Sequence, residues 1–147
     1  MNVGDVEIED DYITVKETDN ILAVAKAIAE AGIPDAVVVD EENHAIGALD
    51  DYDIVSKVIA MEKDPKEVSA KDVMYAPPPV RKSMSLTETH EIMQQLEATM
   101  LPVVDEEKKL IGVVTIMDVL EGLAMQDQPQ GIVSWFKGIF GSNKGDK

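Results

Sequence analysis

Hydrophobic and polar positions divide the first part of the chain into five predicted elements. An extended stretch, "YITV", precedes a segment whose apolar residues recur at helical spacing. Two apolar runs, "AVVV" and "AIGAL", then flank a polar turn, which is the pattern of a β-hairpin. A second helical segment closes the block. The pattern therefore predicts the order strand, helix, strand, strand, helix.

The same block occurs twice, with an offset of 65 residues. The run "VVDEE" at 38–42 recurs at 103–107, and the alignment needs no gap between Val15 and Leu120. A fixed period of this kind indicates duplicated structural units. We therefore predict an α+β fold with a first unit over 1–64, a second unit over 65–125, and a linker with a C-terminal segment over 126–147.

The predicted first helix of each unit has a residue suited to its start. Asn20 and Ser85 stand immediately before the helical spacing begins, and both types are preferred N-caps because their side chains accept a backbone N–H bond. The two positions also correspond in the repeat. We expect both helices to begin at these residues.

Composition narrows the classes of function. Cysteine is absent, which excludes disulfides and thiolate metal sites. The 29 acidic residues against 13 basic ones give a net charge of -16, which repels a phosphate backbone, so we expect no nucleic-acid partner. No leader pattern opens the chain and no apolar run reaches the ~18 residues of a membrane span. We expect a cytoplasmic protein.

The negative charge is concentrated in the first unit. Residues 1–53 hold 15 acidic and two basic residues, a net charge of -13, whereas residues 54–147 hold 14 and 11, a net charge of -3. An anionic ligand should therefore bind more readily to the second unit. His44 and His90 lie in a turn and a helix with no partner for nucleophilic or metal catalysis, so we expect no enzyme activity.

Three stretches of the second copy carry a family resemblance. These are "KDVM" leading to "PPPV", the run "LPVVDEEKKLIGVVT", and Asp118 three positions further on. They resemble the CBS domain, and the whole chain resembles a tandem pair, or Bateman module. The first copy departs from the pattern, because Glu7, Ile8 and Glu9 stand at the offset of 65 from Asp72, Val73 and Met74, and Asp50 replaces the Thr.

The resemblance implies a regulatory fold that is not a catalyst. Two pseudo-symmetric units pack through their sheets and bind adenosine compounds, namely AMP, ADP, ATP or S-adenosylmethionine, in clefts between them. No other cofactor is expected. Modules of this family commonly form disc-shaped dimers, so we expect a homodimer that acts on a regulated protein. The alternative is a ligand-free interaction scaffold that acts through its C-terminal helix.

The resemblance assigns the principal nucleotide site to the second copy. Adenine would lie against Val80, Met100 and Leu101, with Pro102 behind them, while Thr115 and Asp118 would bind phosphate and ribose. A helix N-terminus presents free N–H groups to phosphate, and a carboxylate one turn in can accept both ribose hydroxyls. The same two residues equally fit a helix cap with no ligand, and the three apolar residues equally fit plain core.

A weaker second cleft is expected in the first copy. Its residues would be Thr14, Asp35, Ala36, Asp50 and Asp53. Asp50 would repel a phosphate that the corresponding Thr115 would attract. The acids at 50, 51 and 53 could alternatively hold a hard cation, but "DDYD" lacks the ligand count and Gly turn of a calcium loop. We therefore expect capping acids and no metal site.

The C-terminal segment stands outside the repeat. After the polar linker "MQDQPQ", the run "GIVSWFKGIF" has a broad apolar helical face that contains the only Trp and both Phe residues. An amphipathic helix of this length is too short to cross a bilayer. We expect it to dock on its own module or across a dimer; contact with a membrane surface or a partner is the less favoured alternative.

Overall fold

A computed structural model describes residues 1–127, and the predicted C-terminal helix lies outside these residues. The strands are β1 (Ile13–Lys16), β2 (Asp35–Val39), β3 (Ala45–Asp50), β4 (Met100–Val104) and β5 (Leu110–Thr115). The helices are α1 (Ile21–Ala31), α2 (Asp51–Ile54), α3 (Ala70–Val73), α4 (Leu86–Leu96) and α5 (Ile116–Gln126). A 3-10 turn covers Val3–Asp5, and a π-helical turn, Val55–Ile59, continues α2. Within the described chain, every helix is too short or too polar to span a membrane.

Each unit contains a small sheet built around a β-hairpin. In the first unit β1 pairs parallel with β2, and β2 pairs antiparallel with β3. In the second unit β4 pairs antiparallel with β5, and the expected first strand is reduced to one parallel bridge between Val80 and Val103. The three prolines before Val80 have no N–H to donate, which limits pairing there. The predicted order of elements is otherwise confirmed.

Strand alternation divides the core into three layers. Ala36 and Val38 face the helices of the first unit, and Leu101 and Val103 face those of the second. The residues between them form a central cluster that joins the two sheets: Val37, Val39, Ala48, Met100, Leu110 and Val113. The two units therefore pack through their sheets, as the resemblance implied.

Both predicted helix caps are present. The Asn20 side chain accepts a hydrogen bond from the Ala23 N–H at 2.9 Å, and the Ser85 hydroxyl accepts one from the Glu88 N–H at 3.1 Å. Gly32 follows α1 in the left-handed conformation with φ of 67°, which ends the helix.

The segment at the start of each unit packs on the other unit. Residues 68–75 contact the first unit, where Ser69 bridges Asn20, the cap of α1. Residues 1–8 contact the second unit, where Asn2 bridges Ser85, the cap of α4. The two units thus exchange these segments and complete each other's folds.

The exchanged segments correspond with an offset of 67 rather than 65. The bonds from Ile21 N to Val68 O and from Leu86 N to Met1 O occupy matching places. Asp5 and Val6 therefore stand where Asp72 and Val73 do, and the pairing of residues 7–9 with that motif is wrong. The physical reason is a two-residue longer connection between the N-terminal segment and β1, which breaks the fixed period.

The exchanged segments explain why the pair "IG" occurs in both units. A Cβ on Gly47 would lie 2.7 Å from the Tyr75 carbonyl oxygen, and a Cβ on Gly112 would collide with the Ile8 carbonyl. The backbone of each exchanged segment therefore needs a glycine in the third or fifth strand to approach this closely.

Candidate functional site

One exchanged segment runs along each side of the packed sheets, and we call the two regions that they border the first and the second groove. In the first groove, residues 74–80 run from β3 of the first unit to β4 of the second. In the second groove, residues 8–13 run from β5 of the second unit to β1 of the first. The first groove contains the start of α2 and the second contains the start of α5.

The second groove contains the predicted phosphate and ribose residues. The Thr115 hydroxyl donates to the Asp118 carboxylate at 2.8 Å and accepts from the Asp118 N–H at 3.3 Å. Both side chains are partly buried at the first turn of α5. The structure thus brings the two residues together as a helix cap, and the Thr115 hydroxyl must turn away from Asp118 to donate to a phosphate.

Asp10 is a third acidic residue in the second groove. Although Asp10 is exposed, partial desolvation and the hydrogen bond and charge of the neighbouring Asp118 carboxylate raise its pKa. Sequence reasoning missed it, because only the exchange of segments brings the N-terminal residues beside α5. Negative charge is therefore present in both grooves, which reduces the contrast that the distribution of charge along the sequence indicated.

In the first groove, Asp53 is already bound by several groups. It forms a reciprocal cap with Asp50, in which the Asp50 N–H donates to the Asp53 carboxylate at 3.0 Å and the Asp53 N–H donates to Asp50 at 2.8 Å. Lys57 forms an ion pair with Asp53 at 3.1 Å. The residue that corresponds to Lys57 in the second unit is Gly122. Within residues 1–127 Asp118 forms no ion pair; its carboxylate accepts from the Thr115 hydroxyl and shares a hydrogen bond with Asp10.

Asp35 lies directly opposite Asp50 in the register of β2 and β3. Burial, and then the charge of Asp50, raise the pKa of Asp35 to about 6. The Thr99 hydroxyl donates to Asp35 at 3.4 Å and partly offsets this effect. In the second unit the corresponding pair is Met100 and Thr115. The first groove thus has an acid pair where the second has a thioether and a hydroxyl.

The apolar residues assigned to adenine do not share one surface. Val80 and Leu101 belong to the core of the second unit, while Met100 lies in the central cluster opposite Thr115. Each is at most 1% exposed. Pro102 is also buried. In the weaker cleft, Thr14 is exposed on β1 and Ala36 lies in the first core. The contact of these residues with a ligand stays a prediction.

A cavity of about 410 Å³ opens at the hairpin end of the first groove. It lies between the turn residues of both hairpins and the proline segment, and it touches Val80 and Pro102 of the predicted residues. The other lining residues are Asp40, His44, Ala45, Ile46, Gly47, Pro77, Pro78, Pro79, Val104, Glu107 and Lys108. Across the described residues, no three His, Asp or Glu side chains are placed to hold a metal ion.

The fold and its two grooves agree with a known protein family. The family model for the CBS domain matches residues 3–60 and 70–125. This chain belongs to the CBS-domain family. One match lies within each predicted unit, so the protein contains a CBS pair.

Relatives of this CBS pair include an uncharacterised protein of Methanopyrus kandleri. It is 36% identical over 122 residues, which cover 82% of this chain and 62% of that protein. Another uncharacterised relative, from Methanocaldococcus jannaschii, is 29% identical over 121 residues, which cover 82% of this chain and 39% of that protein. The chain therefore spans less than two thirds of the length of these curated relatives.

Solved CBS proteins share the fold. A CBS domain protein from Pyrobaculum aerophilum complexed with AMP gives a TM-score of 0.71 at 20% identity, covering 84% of this chain and 98% of that one. A CBS domain pair in complex with 5′-methylthioadenosine and S-adenosyl-L-methionine gives 0.68 at 22% identity, covering 84% and 99%. At these identities the likeness shows the shared fold.

Proposed function

We propose that this CBS pair is a cytoplasmic regulatory module that binds an adenosine compound in its second groove and signals to a partner protein. The observation that carries the proposal is the start of α5, where Thr115 and Asp118 stand together and Asp118 is free of the ion pair that holds Asp53. The solved relatives with AMP or S-adenosylmethionine support the ligand class.

The chemistry of the second groove suits a nucleotide. The first N–H groups of α5 and the Thr115 hydroxyl would bind the phosphate, since a helix N-terminus attracts anions. The Asp118 carboxylate would accept the ribose hydroxyls. The resemblance assigned adenine to Val80, Met100 and Leu101, with Pro102 behind them, but Val80 and Pro102 line the cavity of the first groove, so the surface that would hold adenine in the second groove stays open. The weaker cleft would be formed by Thr14, Asp35, Ala36, Asp50 and Asp53.

Removal of the Asp118 carboxylate is expected to weaken ligand binding. Each ribose hydrogen bond to a charged acceptor contributes about 1.5–3 kcal/mol, so Asp118→Ala should lower affinity about tenfold or more. Titration calorimetry with AMP, ADP, ATP and S-adenosylmethionine measures this for both proteins. Glu121→Ala, which removes an exposed acid one turn further along α5, is the matched control and should bind normally.

The ligand-free scaffold remains the second candidate function. The bond from Thr115 to Asp118 favours it, because that pair is a complete helix cap without a ligand. No binding of any of the four compounds to the unaltered protein would support the scaffold. An Asp118→Ala variant that melts at a lower temperature but keeps its affinity would show that Asp118 is only a cap.

We also propose that the module forms a homodimer through its outer helices. Two pairs of corresponding residues are apolar and exposed: Tyr52 is 71% exposed and Met117 62%, while Val55 is 53% exposed and Leu120 44%. Scattered single apolar residues are ordinary on a surface, but the same positions repeat on α5 and on the helical stretch that begins with α2. A second copy of the chain would cover both sets.

Charges on this face are expected to separate the dimer. Val55→Lys combined with Leu120→Lys should give the monomer mass of 16.0 kDa by light scattering, whereas the unaltered protein should give twice that mass. Lysine lowers the net negative charge, so general repulsion cannot cause the separation. Ala29→Lys with Thr87→Lys, both on exposed positions of α1 and α4, should leave the dimer intact. An unaltered protein of monomer mass would contradict the proposal.

A further inference from the structure

Tyr75 connects the two units inside the first groove. Its backbone N–H and carbonyl both bond to Ala48 of β3, each at 2.9 Å. Its hydroxyl donates to the Met100 carbonyl of β4 at 2.7 Å. The ring packs against the second core and the central cluster. Two backbone hydrogen bonds therefore fix the position of Tyr75 on β3, and one side-chain hydrogen bond with apolar contacts directs its ring toward β4.

The Tyr75 hydroxyl faces the acidic end of the groove. Burial raises the pKa of Tyr75 well above its usual range, and the carboxylates of Asp35, Asp50 and Asp53 raise it further. The hydroxyl thus lies near the start of α2, where the weaker nucleotide cleft is expected.

Tyr75 does not line the cavity, but along both strands that it contacts it lies between the cavity-lining residues and the acids. Along β3, the cavity reaches Gly47, Tyr75 bonds to the next residue, Ala48, and the capping acid Asp50 comes after it. Along β4, the cavity reaches Pro102, and Tyr75 bonds to Met100, two residues nearer the helix starts. Both walls of the groove give the same order: cavity, Tyr75, acids.

The second groove has no such crossing residue at the matching place. With the offset of 67, Ile8 corresponds to Tyr75, and its carbonyl accepts from the Val113 N–H at 3.1 Å. Ile8 packs into the core of the second unit and has no hydroxyl with which to bond the opposite wall. Tyr12 of the second groove also packs against the central cluster, so the grooves differ in the bond from the tyrosine hydroxyl to the opposite wall as well as in their charge.

We propose that Tyr75 determines which groove accepts a nucleoside, because its side chain occupies the passage between the cavity and the acids of the first groove. A purine base that entered from the cavity would have to displace the ring and leave the buried Met100 carbonyl without its donor, which is costly. This inference rests on the proposed function, since it names the residue that restricts adenosine binding to the second groove.

Adenosine without phosphate is the probe, because it separates closure from charge repulsion. The unaltered protein should bind one adenosine per chain by titration calorimetry. Tyr75→Ala should bind two, and Tyr75→Ile, which copies the matching residue of the second groove and retains apolar packing, should also bind two. Tyr75→Phe keeps the ring and should still bind one. Circular dichroism melting verifies that each variant is folded.

The outcomes distinguish this inference from the proposed function. The double variant with Asp118→Ala and Tyr75→Ile should bind adenosine in the first groove. This result does not depend on whether the second groove binds adenosine at all. Two equivalent adenosine sites on the unaltered protein would overturn the role of Tyr75. A folded Tyr75→Ile protein with no more adenosine bound than the unaltered protein would overturn it as well. If the unaltered protein binds none and Tyr75→Ile binds one, the role of Tyr75 is supported and the proposed second-groove site is not.

Discussion

Thr115→Asp is expected to remove most of the AMP affinity of the second groove. A carboxylate about 4 Å from a phosphate costs ~1 kcal/mol in water and ~4 kcal/mol at an effective dielectric constant of 20. These energies correspond to losses in affinity of about fivefold to several hundredfold. The substitution also removes the hydroxyl donor. The loss should lie toward the larger value, because Thr115 is partly buried.

The first unit shows that this substitution is compatible with the fold. Asp50 stands at the position of Thr115, caps α2, and accepts from the Asp53 N–H at 2.8 Å. Thr115→Asp should therefore preserve the start of α5, and its melting temperature should change little. Affinity for uncharged adenosine should fall much less than affinity for AMP. An equal loss for both compounds would contradict the electrostatic explanation. Unchanged AMP affinity would show that the phosphate does not bind at the start of this helix.

Local patterns explain why much of the fold is readable from the sequence. The starts of α1 and α4 depend on Asn20 and Ser85, whose bonds reach only three residues along the chain. The hairpins depend on apolar runs with a short polar turn. The exchange of segments is different, because its contacts join residues 1–8 to the second unit. The motif shared by Asp5–Val6 and Asp72–Val73 is detectable, but only if a two-residue gap is allowed.

One part of the candidate site can also be predicted from local sequence, and the other part cannot. Thr115 and Asp118 are three residues apart, so their proximity follows from the helix. Tyr75 and Met100 are brought together only by the packing of two units, and no local pattern predicts it. Strand alternation, however, argues against the set of adenine residues that the family resemblance assigned. Met100 and Leu101 are consecutive in β4 and must face opposite sides, so one adenine surface cannot easily use both side chains.

Asp35 makes the stability of the protein depend on pH. The folded protein keeps the Asp35 proton up to about pH 6, whereas the ordinary value for this group is 3.8. Between these values the folded state binds more protons than the unfolded state, so the free energy of unfolding falls as pH rises. The Asp35 proton contributes about 1–3 kcal/mol of stability when the partial exposure of this residue is allowed for. This contribution is absent above about pH 7.

Asp35→Asn is therefore expected to stabilise the protein at pH 7.5 by about 1–3 kcal/mol and to have little effect at pH 4. Asparagine retains an oxygen that accepts from Thr99, but it cannot acquire the charge that Asp50 and burial oppose. Urea unfolding at both pH values measures the difference. Glu41→Gln, which removes an exposed charge in the first hairpin turn, is the control and should shift stability much less. If Asp35→Asn destabilises the protein at pH 7.5, or changes stability equally at both pH values, the charge of Asp35 is not the cause of the pH dependence.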